Sequence, residues 1–292
     1  MRTADGWQDY QLLDATGGFR LERWGDVLLQ RPDPQVIWQT PRRHAAWDDV
    51  HALYHRSAKG GGAWEKHKPF PEKWTVRYKD LSFIVSPTGF KHTGLFPEQA
   101  ANWEVYARCI RAAKSPPKVL NLFGYTGGAT LACAAAGAAV AHVDASRGMV
   151  AWARENAAAS GLADAPVRWL VDDCAKFAAR EERRQSRYDG IVMDPPSYGR
   201  GPAGEVWKLE EAIWPLLVQT AALLSETPLF FALNSYTTGL APGVGGYMLQ
   251  QLLVPKYGGT VYSDEIGLPV AAGGGVLPCG STALWLADGT FL

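Results

Sequence analysis

Two aspartates follow apolar runs of the chain at positions where carboxylates could bind a nucleoside. Asp144 comes directly after Val140–Val143 and lies 20 residues beyond Gly124, a spacing typical of an acid that accepts hydrogen bonds from ribose hydroxyls. Asp173 ends the next apolar run, where its carboxylate could accept from an adenine amino group while the N–H of Cys174 reaches the ring. Asp173 is equally suited to cap the following helix, and the two roles are compatible. Enzymes that use NAD and enzymes that use S-adenosylmethionine both carry a ribose-binding acid, so Asp144 alone does not distinguish them.

A glycine-containing loop precedes these acids. The stretch Asn121–Gly128 reads NLFGYTGG and separates an apolar run from an alanine-rich one. In an open α/β sheet the first strand–helix turn is where a nucleotide-like ligand lies, but the spacing differs from the G-x-G-x-x-G of dinucleotide-binding loops. Gly127 and Gly128 could instead serve only the close packing of helix on strand.

A second turn combines a carboxylate with two prolines. Tyr188–Met193 is a buried strand that runs into Asp194, Pro195, Pro196, Ser197 and Tyr198. The prolines remove two backbone donors and fix φ, which makes the turn stiff and non-helical. Stiffness suits an in-line displacement, in which most of the acceleration comes from aligning the reacting atoms. We therefore predict that Asp194 and the Pro195–Pro196 turn orient an acceptor and that Tyr198 stacks on it; a turn without chemistry is the alternative.

The elements that must position these turns alternate along residues 91–292. Strands alternating with helices predict a doubly wound, mainly parallel sheet whose ligand lies at the carboxyl ends of the strands. The predicted strands are Lys118–Phe123, Val140–Val143, Val167–Val171, Tyr188–Met193, Leu229–Leu233, Thr260–Ile266 and Ala283–Ala287. The predicted helices are Phe96–Ala113, Gly127–Ala136, Ser146–Ser160, Asp173–Arg183, Val206–Leu224 and Val244–Pro255.

Residues 1–90 have a different pattern, with short apolar runs broken by turn residues, and we expect a separate β-rich domain with hairpins. The predicted strands of this region are Tyr10–Leu13, Phe19–Trp24, Val27–Leu29, Val36–Trp38, Trp74–Tyr78 and Leu81–Val85. His51 and His55 have the spacing of one helix face, and we interpret them as a surface helix pair because no third metal ligand accompanies them. No metal site is predicted.

Composition and charge narrow the class of protein. The 292 residues are 47% hydrophobic and 20% charged, as in ordinary globular proteins, and no signal peptide or membrane span is expected. The four cysteines show no C-x-x-C pairing, which favours a reducing cytoplasm over a disulfide framework. The net charge is zero, yet Arg56–Asp80 contains seven basic residues and three acidic ones with interleaved aromatics. That stretch could meet phosphates and unpaired bases or be a solvated loop.

Taken together, these motifs resemble the class I S-adenosylmethionine-dependent methyltransferases. More narrowly, they are similar to the bacterial 23S ribosomal-RNA large-subunit methyltransferases, including short members without a PUA domain. The matching stretches are Thr93–Gln99, Asn121–Gly128, Val143–Ser146, Val171–Cys174 and Val192–Pro196.

The resemblance implies a Rossmann-like seven-stranded sheet whose last strand is antiparallel, with S-adenosylmethionine at its edge. It implies that Phe123, Gly124, Tyr125 and Thr126 line the methionine and ribose part, with Asp144 on the ribose and Asp173 on adenine. Neighbouring residues of the same stretches complete the predicted cofactor site: Gly127, Ala145, Ser146, Cys174 and Asp194. It also implies that Thr93, Phe96 and Gln99 close over the cofactor.

The sequence departs from this family at the catalytic end. Members that methylate carbon 5 of cytosine carry a cysteine after the fifth strand, where this chain has Leu233–Tyr236, LNSY. We expect Cys279 to be structural, although a flexible loop could bring it to the site. In amine-methylating enzymes an aromatic residue follows Pro-Pro directly, whereas here Ser197 intervenes, so amine specificity is only suggested.

The sequence thus predicts a cytoplasmic S-adenosylmethionine-dependent methyltransferase, residues 91–292, with a possible RNA-binding domain over residues 1–90. The expected acceptor is a base of RNA, ribosomal RNA above all. A protein or small-molecule acceptor, a non-catalytic RNA- or cofactor-binding protein, and a nicotinamide oxidoreductase stay open as alternatives. The oligomeric state is not predicted.

Overall fold

The computed structural model describes residues 1–57, 61–89, 91–200 and 206–292. The chain divides into two units. The first unit contains Met1–Ala101 and Ile266–Cys279, and the second contains Asn102–Glu265 and Gly280–Leu292. The predicted assignment of separate roles to residues 1–90 and 91–292 stays a prediction.

The first unit is rich in β-structure, as the short apolar runs predicted. Its strands are β1 (Arg2–Thr3), β2 (Tyr10–Thr16), β3 (Phe19–Trp24), β4 (Val27–Pro32), β5 (Ala52–Arg56), β6 (Gly62–Lys66), β7 (Trp74–Tyr78) and β8 (Leu81–Val85). Strands β2 to β6 form one sheet in chain order, in which only the β4–β5 pair is parallel. Strands β7 and β8 form an antiparallel hairpin, and β1 pairs with Ile266 and Gly267.

Two expectations for this unit are wrong. Val36–Trp38 is not a strand, because the Val36 N–H bonds to the Asp33 carbonyl in a turn and the Trp38 indole donates to the Ala15 carbonyl. His55 lies in strand β5 rather than on a helix. Spacing of four residues does not identify a helix when the intervening residues pair with another strand, here β6.

The second unit has the alternating strands and helices that the sequence predicted. Its strands are β9 (Lys118–Leu122), β10 (Ala139–Asp144), β11 (Val167–Val171), β12 (Gly190–Met193), β13 (Tyr198–Arg200), β14 (Val206–Lys208), β15 (Phe230–Ser235), β16 (Thr260–Pro269) and β17 (Val276–Leu286); the last two extend into the first unit. Its helices are α1 (Ala100–Ala112, which begins in the first unit), α2 (Gly128–Ala135), α3 (Arg147–Ala159), α4 (Cys174–Arg183), α5 (Leu209–Ala221) and α6 (Pro242–Tyr257). Within the described ranges, no helix has the length and apolar character needed to cross a membrane.

The strand order in this unit is β16–β17–β15–β12–β9–β10–β11. The pairs from β15 to β11 are parallel and β17 runs antiparallel to β15, which confirms the Rossmann-like fold with an antiparallel last strand. Alternate residues of the strands face opposite layers of helix. Phe231 belongs to the core that also contains residues of α4, α5 and α6. Its neighbour Phe230 stacks on Tyr106 of α1, with ring centroids 5.1 Å apart.

The helix predicted over Val206–Leu224 begins later than expected. Val206–Lys208 forms β14 and pairs antiparallel with β13, so α5 starts at Leu209. The apolar periodicity does not reveal this pairing, because the partner strand lies on the other side of residues 201–205, which are outside the described ranges. The hairpin places Trp207 beside the Pro195–Pro196 turn.

Candidate cofactor and acceptor site

The loop between β9 and α2 has an unusual backbone. Phe123, Tyr125 and Gly127 have φ values of 58°, 50° and 90°, a region that residues with a side chain seldom adopt. The Gly124 N–H donates to the Val143 carbonyl at 3.0 Å, which ties the loop to the end of β10. Asn156 of α3 donates to the Thr126 carbonyl at 2.8 Å. The loop is therefore held in one shape by neighbouring elements, as expected of a preformed binding surface.

Packing accounts for part of the glycine content. A Cβ at Gly127 would lie 3.0 Å from the Cβ of Ala153, and one at Gly128 would lie 2.6 Å from the ring of Trp103. Close packing of α2 thus requires both glycines, which is the simpler of the two interpretations offered by the sequence. It is compatible with ligand binding, because the packed side of the loop faces α1 and α3.

Asp144 ends β10 next to this loop. Its carboxylate accepts from the Tyr125 N–H at 2.9 Å and from the Ser146 N–H at 2.8 Å. Burial raises the pKa of Asp144, and these two hydrogen bonds oppose the rise. Each carboxylate oxygen accepts one backbone N–H and has acceptor capacity left. The structure thus brings Asp144, Tyr125 and Ser146 together as predicted. Ala145 lies between Asp144 and Ser146 in the chain.

Asp173 and Cys174 lie at the start of α4, after β11. The Asp173 carboxylate accepts from the Lys176 N–H at 2.8 Å, so it caps the helix as one interpretation predicted. The Cys174 sulfur accepts from the Phe123 N–H at 3.3 Å, and burial raises the pKa of this thiol. Cys174 therefore supports the loop through its side chain, a role that the sequence did not suggest.

A buried polar chain lies beneath the loop. Asn121 of β9 donates to the Thr130 hydroxyl at 2.8 Å, and that hydroxyl lies 2.9 Å from Nδ1 of His142. The direction of this second hydrogen bond depends on which ring nitrogen of His142 carries the proton. Burial lowers the pKa of His142 to about 4, so the imidazole is neutral at pH 7. Nε2 is buried and has no hydrogen-bond partner among the described residues.

The Asp194–Tyr198 turn follows β12, the strand next to β9. Met193 pairs with Leu122, so Asp194 and Phe123 leave neighbouring strand ends. The Ser197 hydroxyl lies 2.7 Å from the hydroxyl of Thr237, in the segment after β15. Tyr198 is exposed, with 53% of its surface accessible, and pairs with Lys208 across the β13–β14 hairpin.

Trp207 contacts both turns and was missed by the sequence analysis. Its indole Nε1 donates to the Pro196 carbonyl at 2.6 Å, and its ring centroid lies 5.6 Å from that of Phe123. The signal for it in the sequence is weak, because Trp207 fits the apolar face of the helix predicted there.

Three predicted cofactor residues, Thr93, Phe96 and Gln99, belong to the first unit. Thr93 and Gln99 are buried, and the ring of Phe96 lies 5.1 Å from that of His92. Their proposed closure over the cofactor stays a prediction. Among the described residues, no group of three His, Cys, Asp or Glu side chains could hold a metal ion.

The second unit thus has a parallel sheet with a shaped loop after β9, a carboxylate with spare acceptors after β10 and a proline turn after β12. These features define the methyltransferase class of α/β enzymes. The chain belongs to the S-adenosylmethionine-dependent methyltransferase family, whose sequence model matches residues 31–224. S-adenosylmethionine is its cofactor. The half-buried carboxylate of Asp144 has acceptor capacity left on both oxygens, which is compatible with hydrogen bonds from two hydroxyls.

Particular relatives agree with this assignment. The crystal structure of a SAM-dependent methyltransferase from Agrobacterium tumefaciens is 36% identical, with a TM-score of 0.93 over 98% of this chain and 93% of that one. The protein SMU.776, crystallised in complex with SAH, has a TM-score of 0.72 over 97% of this chain and 76% of that one; its 20% identity shows the shared fold.

Curated relatives are longer proteins. Ribosomal RNA large subunit methyltransferase K/L from Shewanella baltica OS195 is 33% identical over 213 residues, which cover 70% of this chain and 27% of the relative. The protein of that name from Magnetococcus marinus is 28% identical over 235 residues, covering 78% of this chain and 30% of the relative. This chain thus spans less than a third of their length.

Proposed function

We propose that this methyltransferase acts on a base of RNA, with ribosomal RNA as the acceptor, by direct methyl transfer. The observation that carries the proposal is the position of the Asp194–Tyr198 turn, which leaves β12 beside the loop after β9. An acceptor presented by the turn would therefore lie next to the cofactor. The names of the curated relatives support RNA as the acceptor.

In this proposal the loop and the acids hold the cofactor. Asp144 accepts from the ribose hydroxyls, Asp173 and the Cys174 N–H recognise adenine, and the loop from Phe123 to Gly127 lines the methionine part. Bound S-adenosylmethionine supplies an electrophilic methyl group on a positively charged sulfur. The roles predicted for Thr93, Phe96 and Gln99 stay predictions.

The turn orients the acceptor. Asp194 accepts a hydrogen bond from an exocyclic amine and thereby directs the nitrogen lone pair toward the methyl group. As the N–C bond forms and the C–S bond breaks, the same carboxylate or solvent can take up the proton that the nitrogen loses. The Pro195–Pro196 turn fixes the carboxylate with little conformational freedom, and the exposed ring of Tyr198 is available to stack on the base. Positioning of this kind lowers the barrier without a covalent intermediate on the protein.

The structure favours an amine over carbon 5 of a pyrimidine as the methylated atom. Carbon-5 chemistry needs a cysteine thiolate, and the matching stretch has Asn234 and Ser235, the last two residues of β15. Asn234 accepts hydrogen bonds from Asn102 at 3.0 Å and from the Thr282 hydroxyl at 2.8 Å. Cys279 is buried in the first unit, where burial raises the pKa of its thiol well above the ordinary value and disfavours the thiolate.

The basic stretch Arg56–Asp80 contributes less charge than its composition suggests. Lys68 lies 2.5 Å from the carboxylate of Asp49, and Arg77 lies 2.7 Å from that of Asp9. These pairs neutralise part of the surplus, and residues 58–60 of the stretch lie outside the described ranges. We therefore do not base RNA binding on this stretch alone.

A cytoplasmic location accompanies an RNA acceptor. All four cysteines are free and buried, as is common in proteins of reducing compartments. We therefore propose the cytoplasm as the location of this protein.

Transfer of a labelled methyl group tests the proposed function. Purified protein, tritiated S-adenosylmethionine and total RNA from a strain that lacks the gene should give labelled ribosomal RNA. Nucleoside analysis should place the label on an exocyclic nitrogen, and RNA from the parent strain, already methylated, should accept little. Label in protein or in small molecules, with none in RNA, would refute RNA as the acceptor.

A further inference from the structure

Trp207 joins the two turns that the proposed function assigns to cofactor and acceptor. Its indole Nε1 donates to the Pro196 carbonyl at 2.6 Å, while its ring packs at 5.6 Å, tilted by 53°, against Phe123. Phe123 is the first residue of the cofactor loop, and its own N–H is held by the Cys174 sulfur. One side chain therefore contacts both the loop after β9 and the turn after β12.

The segment that carries Trp207 is itself attached to the proline turn. Tyr198 pairs with Lys208 across the β13–β14 hairpin, and the Leu209 N–H donates to the Ser197 carbonyl at 3.1 Å. Leu209 is the first residue of α5 and is buried in the core. The pairing of the two strands thus fixes the backbone of Trp207, and its indole contacts Pro196 and Phe123 from this fixed position.

Prolines at 195 and 196 leave this turn with few backbone donors for its own stabilisation. A proline has no N–H, so the turn is held by groups that donate to its carbonyls and by the Ser197 hydroxyl. The indole of Trp207 donates to the Pro196 carbonyl and so supplies one of these hydrogen bonds, at an exposed position.

We infer that Trp207 is a positioning residue that sets the Asp194–Tyr198 turn relative to the cofactor loop, so that occupation of the loop is transmitted to the acceptor-binding turn. The inference rests on the proposed role of the turn in binding the acceptor. Trp207 is not assigned a contact with the reacting atoms. Its effect follows from geometry, since a displacement of about 1 Å in a reacting group can cost about 100-fold in rate.

Hydrogen exchange tests the coupling without any acceptor. In the unaltered protein, S-adenosylhomocysteine should slow amide exchange both in the loop, residues 121–128, and in the turn at Ser197 and Tyr198. In Trp207→Leu, which removes the ring and the donor, protection should be confined to the loop. Equal protection of the turn in both proteins, or no protection of the turn in the unaltered protein, would overturn the inference.

Kinetics with ribosomal RNA provide the second measurement. Trp207→Leu should lower kcat about 10- to 100-fold while the calorimetric Kd for S-adenosylhomocysteine changes less than threefold, about 0.6 kcal/mol. Trp207→Phe keeps a ring against Phe123 and loses the donor, so it should give a smaller loss of the same kind. A purely structural role would alter the melting temperature and cofactor affinity instead, and unchanged kcat in both variants would contradict a positioning role.

Trp214→Phe is the matched control. Trp214 lies on the outer face of α5 and is 45% exposed, so its replacement should change neither exchange nor kcat. If Trp207→Leu fails to fold, Trp207→Phe decides the question. If the unaltered protein transfers no methyl to RNA, the proposed acceptor is wrong, and the exchange measurement still decides whether Trp207 couples the two turns.

Discussion

Gly124 lies directly against the imidazole of His142: a Cβ built on Gly124 would be 2.4 Å from Cε1 of that ring. The contact links the cofactor loop to the buried chain of Asn121, Thr130 and His142. The loop has positive φ at three of the five residues that follow β9, and a rigid ring beneath it limits the shapes it can adopt. His142 therefore supports the loop after β9, where the proposed function places the cofactor.

The burial of His142 makes the stability of the protein sensitive to acid. Burial lowers the pKa of His142 from 6.5 to about 4, so the unfolded chain takes up a proton at a higher pH than the folded chain. The contribution of His142 leaves the free energy of unfolding at its highest above pH 6.5. That free energy falls as the pH drops from 6.5 toward 4, and His142 changes it no further below pH 4. The shift corresponds to about 3 kcal/mol in the free energy of unfolding.

His142→Asn should flatten this part of the stability profile, because the amide can accept from Thr130 and does not ionise. Unfolding by urea at several pH values between 4 and 7 measures the slope. His92, whose pKa burial lowers to about 3, keeps its own contribution of the same sign in the variant. An unchanged slope in His142→Asn would contradict the assignment of this part of the profile to His142.

Asp144→Asn should weaken cofactor binding. The amide keeps the shape of the side chain but replaces one charged acceptor by a donor, next to backbone N–H groups of Tyr125 and Ser146. Loss of charge-assisted hydrogen bonds to the ribose should cost about 2 kcal/mol, or about 30-fold in Kd. Calorimetry with S-adenosylmethionine measures this change. Asp164→Asn, in an exposed turn, is the control and should bind S-adenosylmethionine as the unaltered protein does. An equally small effect of Asp144→Asn would refute the proposed role of Asp144 in binding the ribose.

Asp194→Asn should slow transfer and leave cofactor affinity nearly unchanged. The proposed role of Asp194 is to align the acceptor amine, an interaction that contributes most in the transition state. We expect kcat to fall about 100-fold or more. Single-turnover transfer to ribosomal RNA separates this effect from binding. A variant with normal kcat but weaker RNA binding would show that Asp194 only binds the acceptor.

Asn234→Ala should destabilise the second unit. Asn234 Oδ1 accepts from Asn102 Nδ2 at 3.0 Å and from the Thr282 hydroxyl at 2.8 Å, and all three side chains are buried. Removing the acceptor leaves buried donors unsatisfied, at a cost of about 1–3 kcal/mol. Thermal unfolding monitored by circular dichroism measures the loss. Gln250→Ala, on the exposed face of α6, is the control, and equal melting temperatures for the two variants would exclude a stabilising role of the network.

The sequence predicted local elements well where burial and periodicity coincide. Strands β9, β10 and β12 are largely buried, so their apolar runs identify them. Strand β11 lies at the edge of the sheet and is only partly buried. The pairing of β13 with β14 was missed because the two strands are separated by residues 201–205, outside the described ranges, and such pairing leaves no local period in the sequence. The same reason explains β5 and β6, where His55 and Trp64 were assigned to a helix and to a basic loop.

The candidate site divides in a similar way. Acids at strand ends can be located from the sequence, because parallel strands bring their carboxyl ends to one edge. Supporting contacts cannot, since they depend on side chains from other elements. Thr237 meets Ser197 through a hydroxyl pair, and Cys174 holds the Phe123 N–H through its sulfur. The residue types at these positions do not predict either contact.

The division of the chain into two units limits where the chain can be cut into fragments. The first unit contains Ile266–Cys279, far along the sequence from Met1–Ala101, and the chain passes from one unit to the other three times. A fragment ending at Ala101 would lack its second segment, and the complementary fragment would carry that segment without its partner. A single crossover between relatives after Ala101 would give the first unit segments from two different proteins, so exchange of that unit requires both of its segments to be replaced together.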